Sequence, residues 1–229
     1  MKNKFFSLSA LFLSVILFTV SQPSLFSEDG LSFCAWLAYI PIFLLLQKTS
    51  PVKSLLLGAV YGAFSYFFLC WYLCAFGVVA IAFVCTLFAF YNAVLFFLLS
   101  WSDKIFSDGL KKYFWIFRAA FFLSVEFLRT LGIFGFSYGI IGYSQWKNPV
   151  LLKFSSFFGV MGVSFLILLF NSLTAKIISE KNIRSNLRQI AFCLSVFLGL
   201  SLFYYSDKFF KALFARIKDN YALHGKIGL

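Results

Sequence analysis

Two ionisable residues within an apolar stretch, Glu126 and Arg129, have the types and the spacing to form a functional site. Residues three positions apart lie on one face of a helix, so these side chains can form an ion pair. An ionisable group inside an apolar span is costly unless it is paired or close to water, and such groups often mark functional sites. We therefore interpret the pair as a candidate site, although an ion pair that only anchors a helix end would have the same spacing.

The segment that follows this pair is rich in glycine and aromatic residues. Glycines at positions 132, 135, 139 and 142 disfavour a regular helix, and the aromatic residues between them are typical of lipid-headgroup depth. Irregular backbone at that depth is tolerated only where protein or a water-filled cavity shields it. We therefore predict a re-entrant or interfacial loop beside a lipid-facing cavity, with an aromatic belt and glycine turns as the alternative. The predicted substrate-binding residues are Glu126, Arg129, Phe136, Tyr138, Tyr143 and Gln145.

Residues that commonly act as nucleophiles or metal ligands are poorly placed in this sequence. The five cysteines, at positions 34, 70, 74, 85 and 193, lie in apolar runs and include no CxxC pair. We interpret them as small buried hydrophobic residues. The single histidine is His224, and one histidine cannot supply two axial haem ligands. We therefore predict no catalytic residue, no metal site and no cofactor in this chain.

The composition indicates which elements position these residues. Hydrophobic residues make up 62% of the 229 positions and charged residues only 12%, which is too little polar surface for a water-soluble domain. The net charge of +12 comes from lysines and arginines between the apolar runs, where they act as topology signals and headgroup contacts. We therefore predict an integral membrane protein and no nucleic-acid partner.

Apolar windows of about 20 residues predict an all-α, polytopic bundle of about seven transmembrane helices. The predicted spans are residues 5–20, 31–46, 54–76, 78–99, 113–131, 150–173 and 189–205. The first span has the basic start of a cleaved signal peptide, but the spans behind it favour a retained helix. We divide the chain into a transmembrane domain, residues 1–206, and a basic juxtamembrane tail, residues 207–229.

The positions of lysine and arginine predict the orientation. With the N-terminus in the cytoplasm, the inner segments hold eleven of these residues and the outer segments before the tail hold three. Seven spans then place the C-terminus outside. The tail adds five positive charges on that side, which indicates either the approach to an external domain or one miscounted span.

Four sequence blocks resemble the apolipoprotein N-acyltransferases of bacterial inner membranes, over roughly residues 10–205. The most specific block runs from Glu126 to Gln145 and contains Glu-Phe-Leu-Arg, Gly-Phe and Gly-Tyr-Ser-Gln. The other blocks are residues 37–41, residues 57–68 with Trp71-Tyr72, and residues 158–165 with Asn171. The resemblance implies a multi-pass protein of the bacterial inner membrane with a cytoplasmic N-terminus and a periplasmic C-terminus.

The resemblance also implies an activity and its partners. In this family an acyl chain passes from a membrane phospholipid to an enzyme cysteine as a thioester, and then to the α-amine of the diacylglyceryl-cysteine of a lipoprotein precursor. Such covalent catalysis needs a thiolate with a base and a cation nearby. The family carries these groups, a Glu, a Lys and a Cys, in an external nitrilase-like domain that follows the seventh helix.

This sequence departs from the family pattern in two places. The residues after Tyr205 show no nitrilase-like strand pattern, so we expect the membrane part alone, inactive by itself, with a separately encoded nitrilase-like domain as a potential partner. The basic tail is then interpreted as the approach to that domain. Where the family usually has Pro-Trp, this sequence has Ser137-Tyr138. The ring of Tyr138 can still pack against lipid, but it has no indole N–H to donate.

Two other functions fit parts of the pattern. A lipid-binding membrane scaffold without catalysis would use the same Glu126 and Arg129 site. A small transporter fits less well, because apart from Glu126 the spans lack the acidic residues and broken-helix pairs of ion-coupled carriers.

Overall fold

The computed structural model describes residues 2–106, 111–133, 135–180, 187–191, 194–196, 198–206 and 208. Within these residues the chain forms helices and no β-strand, which confirms the all-α prediction. The helices are α1 Lys2–Ser21, α2 Ile40–Leu46, α3 Pro51–Leu69, α4 Val78–Ile105, α5 Phe114–Leu128 and α6 Pro149–Glu180, followed by α7 Leu187–Ser206. Short 3₁₀ helices occur at Ser32–Trp36, Trp71–Phe76 and Ile141–Gln145. Cys193, His224 and nearly all of the tail lie outside the described residues.

Four of these helices, α3, α4, α6 and α7, are long and apolar enough to cross a membrane. They support a multi-pass membrane protein. Shorter apolar helical segments occur at Ser7–Ser21 and Ser32–Leu46, and α5 has only 15 residues. Each predicted span therefore contains a helix, but the count of seven crossings stays a prediction.

The third predicted span, residues 54–76, differs from the structure. Helix α3 begins earlier, at Pro51, and ends at Leu69, and residues 71–76 form a 3₁₀ helix. Gly77 then adopts φ 108°, a backbone conformation that glycine adopts at no steric cost. The apolar run is therefore divided between a helix and an irregular corner.

Helices α3 and α4 pack closely through two glycines one helical turn apart. A Cβ atom on Gly58 would meet the carbonyl oxygen of Asn92, and one on Gly62 would meet that of Phe88. Small residues four apart let two helix backbones approach each other within a membrane. This antiparallel pair forms one wall of the bundle.

Helix α6 ties the bundle to the 3₁₀ helix Ser32–Trp36 through Asn171. The Asn171 Oδ1 atom accepts from the Tyr39 N–H at 2.9 Å, and its Nδ2 donates to the Ala35 carbonyl at 3.1 Å. Asn171 is fully buried, so these bonds satisfy backbone groups that water cannot reach. Nearer its start, α6 is kinked at Gly159, where φ is 66° and ψ is −179°.

The bundle has two chemically different ends. The loop end gathers residues 22–31, 70–77, 129–133 and 135–148. These segments contact one another through the hydrogen bonds from Gln22 to Ile140 and from Tyr138 to Pro23, and through the packing of Tyr72 against Tyr138. The basic end gathers residues 47–53, 103–106, 111–113 and 176–180 and carries Lys48, Lys53, Lys104, Lys111, Lys112 and Lys176. The candidate residues of the sequence analysis all lie towards the loop end.

Candidate functional site

Glu126 occupies the last turn of α5 and is buried, with 3% of its surface exposed. Its Oε1 atom accepts from the Ile141 backbone N–H at 3.1 Å and lies 3.6 Å from Nη2 of Arg129. Ile141 is the first residue of the 3₁₀ helix Ile141–Gln145, whose first N–H groups have no partner within that helix. The carboxylate therefore holds the start of this segment against the end of α5.

Arg129 is buried beside Glu126 and holds the preceding part of the loop. Its Nη1 atom donates to the carbonyl oxygens of Phe136 at 2.9 Å and Tyr138 at 3.2 Å. Its guanidinium also lies over the rings of Tyr66 and Phe88, with 5.7 and 5.1 Å to the ring centroids. Together the two side chains fasten three backbone positions of the loop, so the pair acts as a clamp.

The loop from residue 129 to residue 148 is folded into the protein at its centre. Residues 139–142, 144 and 145 are buried, and the Ile140 carbonyl accepts from Nε2 of Gln22 at 3.1 Å. A Cβ atom on Gly142 would lie 2.5 Å from the Val160 carbonyl oxygen, so only glycine lets the loop lie this close to α6. The protein itself therefore shields the centre of this irregular segment.

Gln145 links the loop to the 3₁₀ helix Ser32–Trp36. Its Nε2 atom donates to the Ser32 carbonyl at 2.8 Å and to the Ser144 hydroxyl at 2.9 Å, and its Oε1 accepts from the Trp36 indole at 3.4 Å. Near it, the Trp146 indole donates to the Asp29 carbonyl at 3.2 Å. The side-chain amide of Gln145 therefore joins two segments that are more than 100 residues apart in the chain.

A small cavity of about 30 Å³ adjoins the clamp. Its walls include Glu126 and Arg129 together with Tyr39, Tyr61 and Tyr66. Oε2 of Glu126 has no hydrogen-bond partner among the described residues. The volume suits one water molecule, so this cavity is a polar pocket inside the bundle and is too small for a lipid.

A second cavity, of about 160 Å³, lies between the loop and the start of α6. It is lined by Gly142, Tyr143, Gln145, Trp146, Leu151, Leu152, Ser155, Val160 and Val163. Tyr143 and Trp146 are 45% and 48% exposed, so their rings face the surroundings of the protein. The lining is mainly apolar with a polar edge, which suits part of a lipid chain beneath its headgroup.

The six predicted site residues thus fall into two pairs that line the two cavities and a third pair, Phe136 and Tyr138, that lines neither. Glu126 and Arg129 line the small cavity, whereas Tyr143 and Gln145 line the larger one. Phe136 and Tyr138 pack against each other, and Tyr138 also packs edge-on against Tyr72 at 5.9 Å. The loop joins the three pairs through its backbone, so the residues share one structural unit.

Sequence reasoning missed the tyrosines and Asn92 around the small cavity. Tyr61, Tyr66 and Asn92 are polar residues inside apolar spans, and such residues usually face the bundle interior. That signal lies in the sequence and would have placed them near Glu126. Among the described cysteines, Cys70 is buried but Cys74 is exposed, so the expectation of burial is wrong for Cys74.

Comparison with known proteins places these features in a family. A family described as "Apolipoprotein N-acyltransferase N-terminal domain" matches residues 10–173. Apolipoprotein N-acyltransferase 1 of Treponema denticola is 38% identical over 207 residues, which cover 87% of this chain and 37% of that protein. The protein of the same name from Treponema pallidum is 35% identical over 160 residues, covering 68% of this chain and 28% of that protein.

Apolipoprotein N-acyltransferase of Borreliella burgdorferi is 28% identical over 197 residues, which cover 84% of this chain and 36% of that protein. The chain therefore spans about a third of the length of the curated relatives that it matches, between 28% and 37%. The family match includes the clamp, the loop and most of α6, as far as residue 173. On this evidence the chain belongs to the apolipoprotein N-acyltransferase family, of which it holds the N-terminal domain.

Proposed function

We propose that this chain is the membrane part of an enzyme that transfers an acyl chain from phospholipid to the N-terminal diacylglyceryl-cysteine of lipoproteins. The observation that carries this proposal is the buried clamp of Glu126 and Arg129, which fixes the loop backbone at residues 136, 138 and 141. A loop held in one conformation presents the 160 Å³ cavity with fixed walls. A cavity whose walls are already fixed can orient a bound substrate without first having to order the loop.

In this proposal the loop end lies at the periplasmic face of the inner membrane. Phospholipid and lipoprotein precursor enter sideways from the bilayer, with an acyl chain against Tyr143 and Trp146. The described residues offer no group of three or more metal-ligating side chains, and the role assigned to this chain is positional. The thioester chemistry belongs to a nitrilase-like domain, encoded with this chain or separately.

A chimera tests the proposal directly. In the Treponema denticola relative, the aligned N-terminal part is replaced by this chain, and the chimera is expressed in bacteria depleted of their own N-acyltransferase. We expect mass spectrometry of a lipoprotein N-terminal peptide to show one added acyl chain. This chain expressed alone is expected to add none, and acyl transfer by the isolated chain would contradict the proposed division of roles.

The same strains separate this function from a lipid-binding scaffold. A scaffold would accumulate without a partner domain and retain phospholipid through purification, and Glu126→Ala or Arg129→Ala would lower the retained lipid. A chimera that reaches normal membrane levels but adds no acyl chain, together with such lipid retention, would favour the scaffold.

A further inference from the structure

The basic end of the bundle contains a cavity of about 370 Å³ that the proposed acyl transfer does not use. Four helices build it, namely the end of α2, the end of α4, the start of α5 and the end of α6. It lies at the opposite end of the bundle from the clamp and its loop. Its volume is within the range of small-molecule sites.

The lining of this cavity is rich in positive charge. Lys48, Lys111, Arg118 and Lys176 face two acids, Asp103 and Glu180. A cleft lined mainly by one sign of charge between low-dielectric walls concentrates counter-ions of the opposite sign. The excess of cations therefore favours an anionic ligand.

Arg118 is held in place before any ligand arrives. It is buried, and its guanidinium lies near the rings of Phe43 and Phe114, with 5.1 and 4.9 Å to the ring centroids. With its amide oriented to suit both neighbours, Gln47 accepts from the two terminal nitrogens of Arg118 at 3.1 and 3.2 Å and donates to the Ser179 hydroxyl at 2.7 Å. A guanidinium has five N–H donors, so Gln47 orients the group and still leaves N–H donors for a ligand.

The start of α5 adds further donors to the same wall. Its first turn carries no acidic residue and no side-chain cap, and the positive end of a helix dipole favours an anion. Trp115, in that turn, lines the cavity, and its indole N–H is buried without an acceptor among the described residues. A buried donor without an acceptor is costly, so an anion that reached this N–H would remove that cost.

We propose that this cavity binds the phosphate group of an anionic phospholipid in the leaflet at the basic end of the bundle. The site lies where the helices end, at the depth of lipid headgroups. Ile105 and Tyr113, on the same helix ends, are exposed apolar residues beside which acyl chains can lie. Basic pockets between membrane helices are a known mode of binding anionic headgroups.

Lipid binding by this purified chain tests the proposal. The chain in detergent is mixed with phosphatidylglycerol or phosphatidylcholine, and bound lipid is counted by native mass spectrometry. We expect several-fold preference for phosphatidylglycerol, lowered several-fold by Lys111→Gln or Lys176→Gln. Lys53→Gln makes the same charge change on an exposed lysine of the same end, outside the cavity lining, and is expected to leave binding unchanged.

Asp103→Asn distinguishes an anion-binding site from a cluster of lysines that only neutralise nearby acids, because it removes a negative charge from the cavity wall. An anion site predicts that this variant binds phosphatidylglycerol more tightly. If the lysines serve only to neutralise Asp103 and Glu180, the variant will not gain affinity, and the proposal fails. Equal effects of Lys53→Gln and Lys111→Gln, or displacement of the lipid by equimolar inorganic phosphate, would likewise overturn it.

Discussion

The pairing of Glu126 with Arg129 shows how two charged groups can be tolerated inside an apolar bundle. Removing charges from water is expensive, and mutual attraction offsets this only when further hydrogen bonds satisfy both groups. Here the backbone of the loop supplies those bonds, with one N–H for the carboxylate and two carbonyls for the guanidinium. The loop and the ion pair therefore stabilise each other.

The stability losses from removing the two partners of the ion pair should not add up. Glu126→Ala leaves Arg129 as a buried, uncompensated cation, and we expect the free energy of unfolding in detergent to fall by about 3–5 kcal/mol. The double variant Glu126→Ala/Arg129→Ala should lose less than the sum of the two single losses. Glu28→Gln, at an exposed acid of the same end, serves as the control, and additive losses would show that the clamp is not a unit.

Asn171 gives a second prediction at the level of one side chain. Asn171→Leu keeps the volume but leaves the buried Tyr39 N–H without its acceptor, at about 1–3 kcal/mol. The Ala35 carbonyl loses one of its donors but still accepts from the Ala38 N–H. Asn148→Ala, which removes hydrogen bonds to the first N–H groups of α6, should lose only about 1 kcal/mol. Thermal unfolding of both variants in one detergent compares them, and equal losses would contradict the assigned role of Asn171.

The sequence predicted the ion pair but not the contacts of the pair with the loop backbone. The i, i+3 spacing is local, so it suffices by itself to place Glu126 and Arg129 on one face of a helix. Their contacts with residues 136, 138 and 141 depend on how an irregular loop folds back, which no periodicity encodes. The same reason explains why the bond from Gln22 to Ile140 could not be foreseen.

At the level of elements, hydropathy located the helices better than it located their ends. The helix predicted over residues 54–76 ends at Leu69, because the apolar run continues through a 3₁₀ corner that ends at Gly77. The kink of α6 lies inside a run that hydropathy treats as uniform. Glycines with positive φ, at 77 and 159, mark both places.

Gly159 should be required for the kink in α6. Its φ of 66° and ψ of −179° lie in a region essentially restricted to glycine, and Gly159→Ala should lower the free energy of unfolding by about 1–3 kcal/mol. Gly199→Ala, in α7 and without a positive φ, should instead be neutral or gain up to about 1 kcal/mol from helix propensity. A neutral Gly159→Ala would mean that α6 can straighten freely.

The packing of α3 on α4 gives a prediction in which two effects have opposite signs. Helix propensity favours Gly62→Ala by about 1 kcal/mol, but the new Cβ would collide with the Phe88 carbonyl and force the helices apart. We expect the clash to dominate, with a net loss of about 1–3 kcal/mol on unfolding in detergent. Ala63→Leu, at the half-buried neighbouring position, adds more volume and should change stability less.

The whole molecule is asymmetric in charge along the bundle axis. Lys48, Lys53, Lys104, Lys111, Lys112 and Lys176 lie at the basic end, whereas the loop end carries Arg129, Lys147 and Lys153, with Lys208 just after the end of α7. At the loop end, acids offset part of this charge, because Arg129 pairs with Glu126 and Lys147 with Asp29, the latter at 2.8 Å. Positive charge favours the cytoplasmic side, so this distribution supports the proposal that the loop end faces the periplasm.

Fusions to alkaline phosphatase, which is active only outside the cytoplasm, test this orientation and the number of crossings together. We expect activity for fusions after Gly77, Asn148 and Ser206, and none after Ser50 or Glu180. Because α2 and α5 are the shortest of these helices, they are where a miscount would occur. If α5 failed to cross, the fusions after Asn148 and Glu180 would exchange their results while those before α5 stayed unchanged. The reverse pattern at every position would place the basic end outside and contradict the charge argument, and with it the assignment of the clamp and its loop to the periplasmic face.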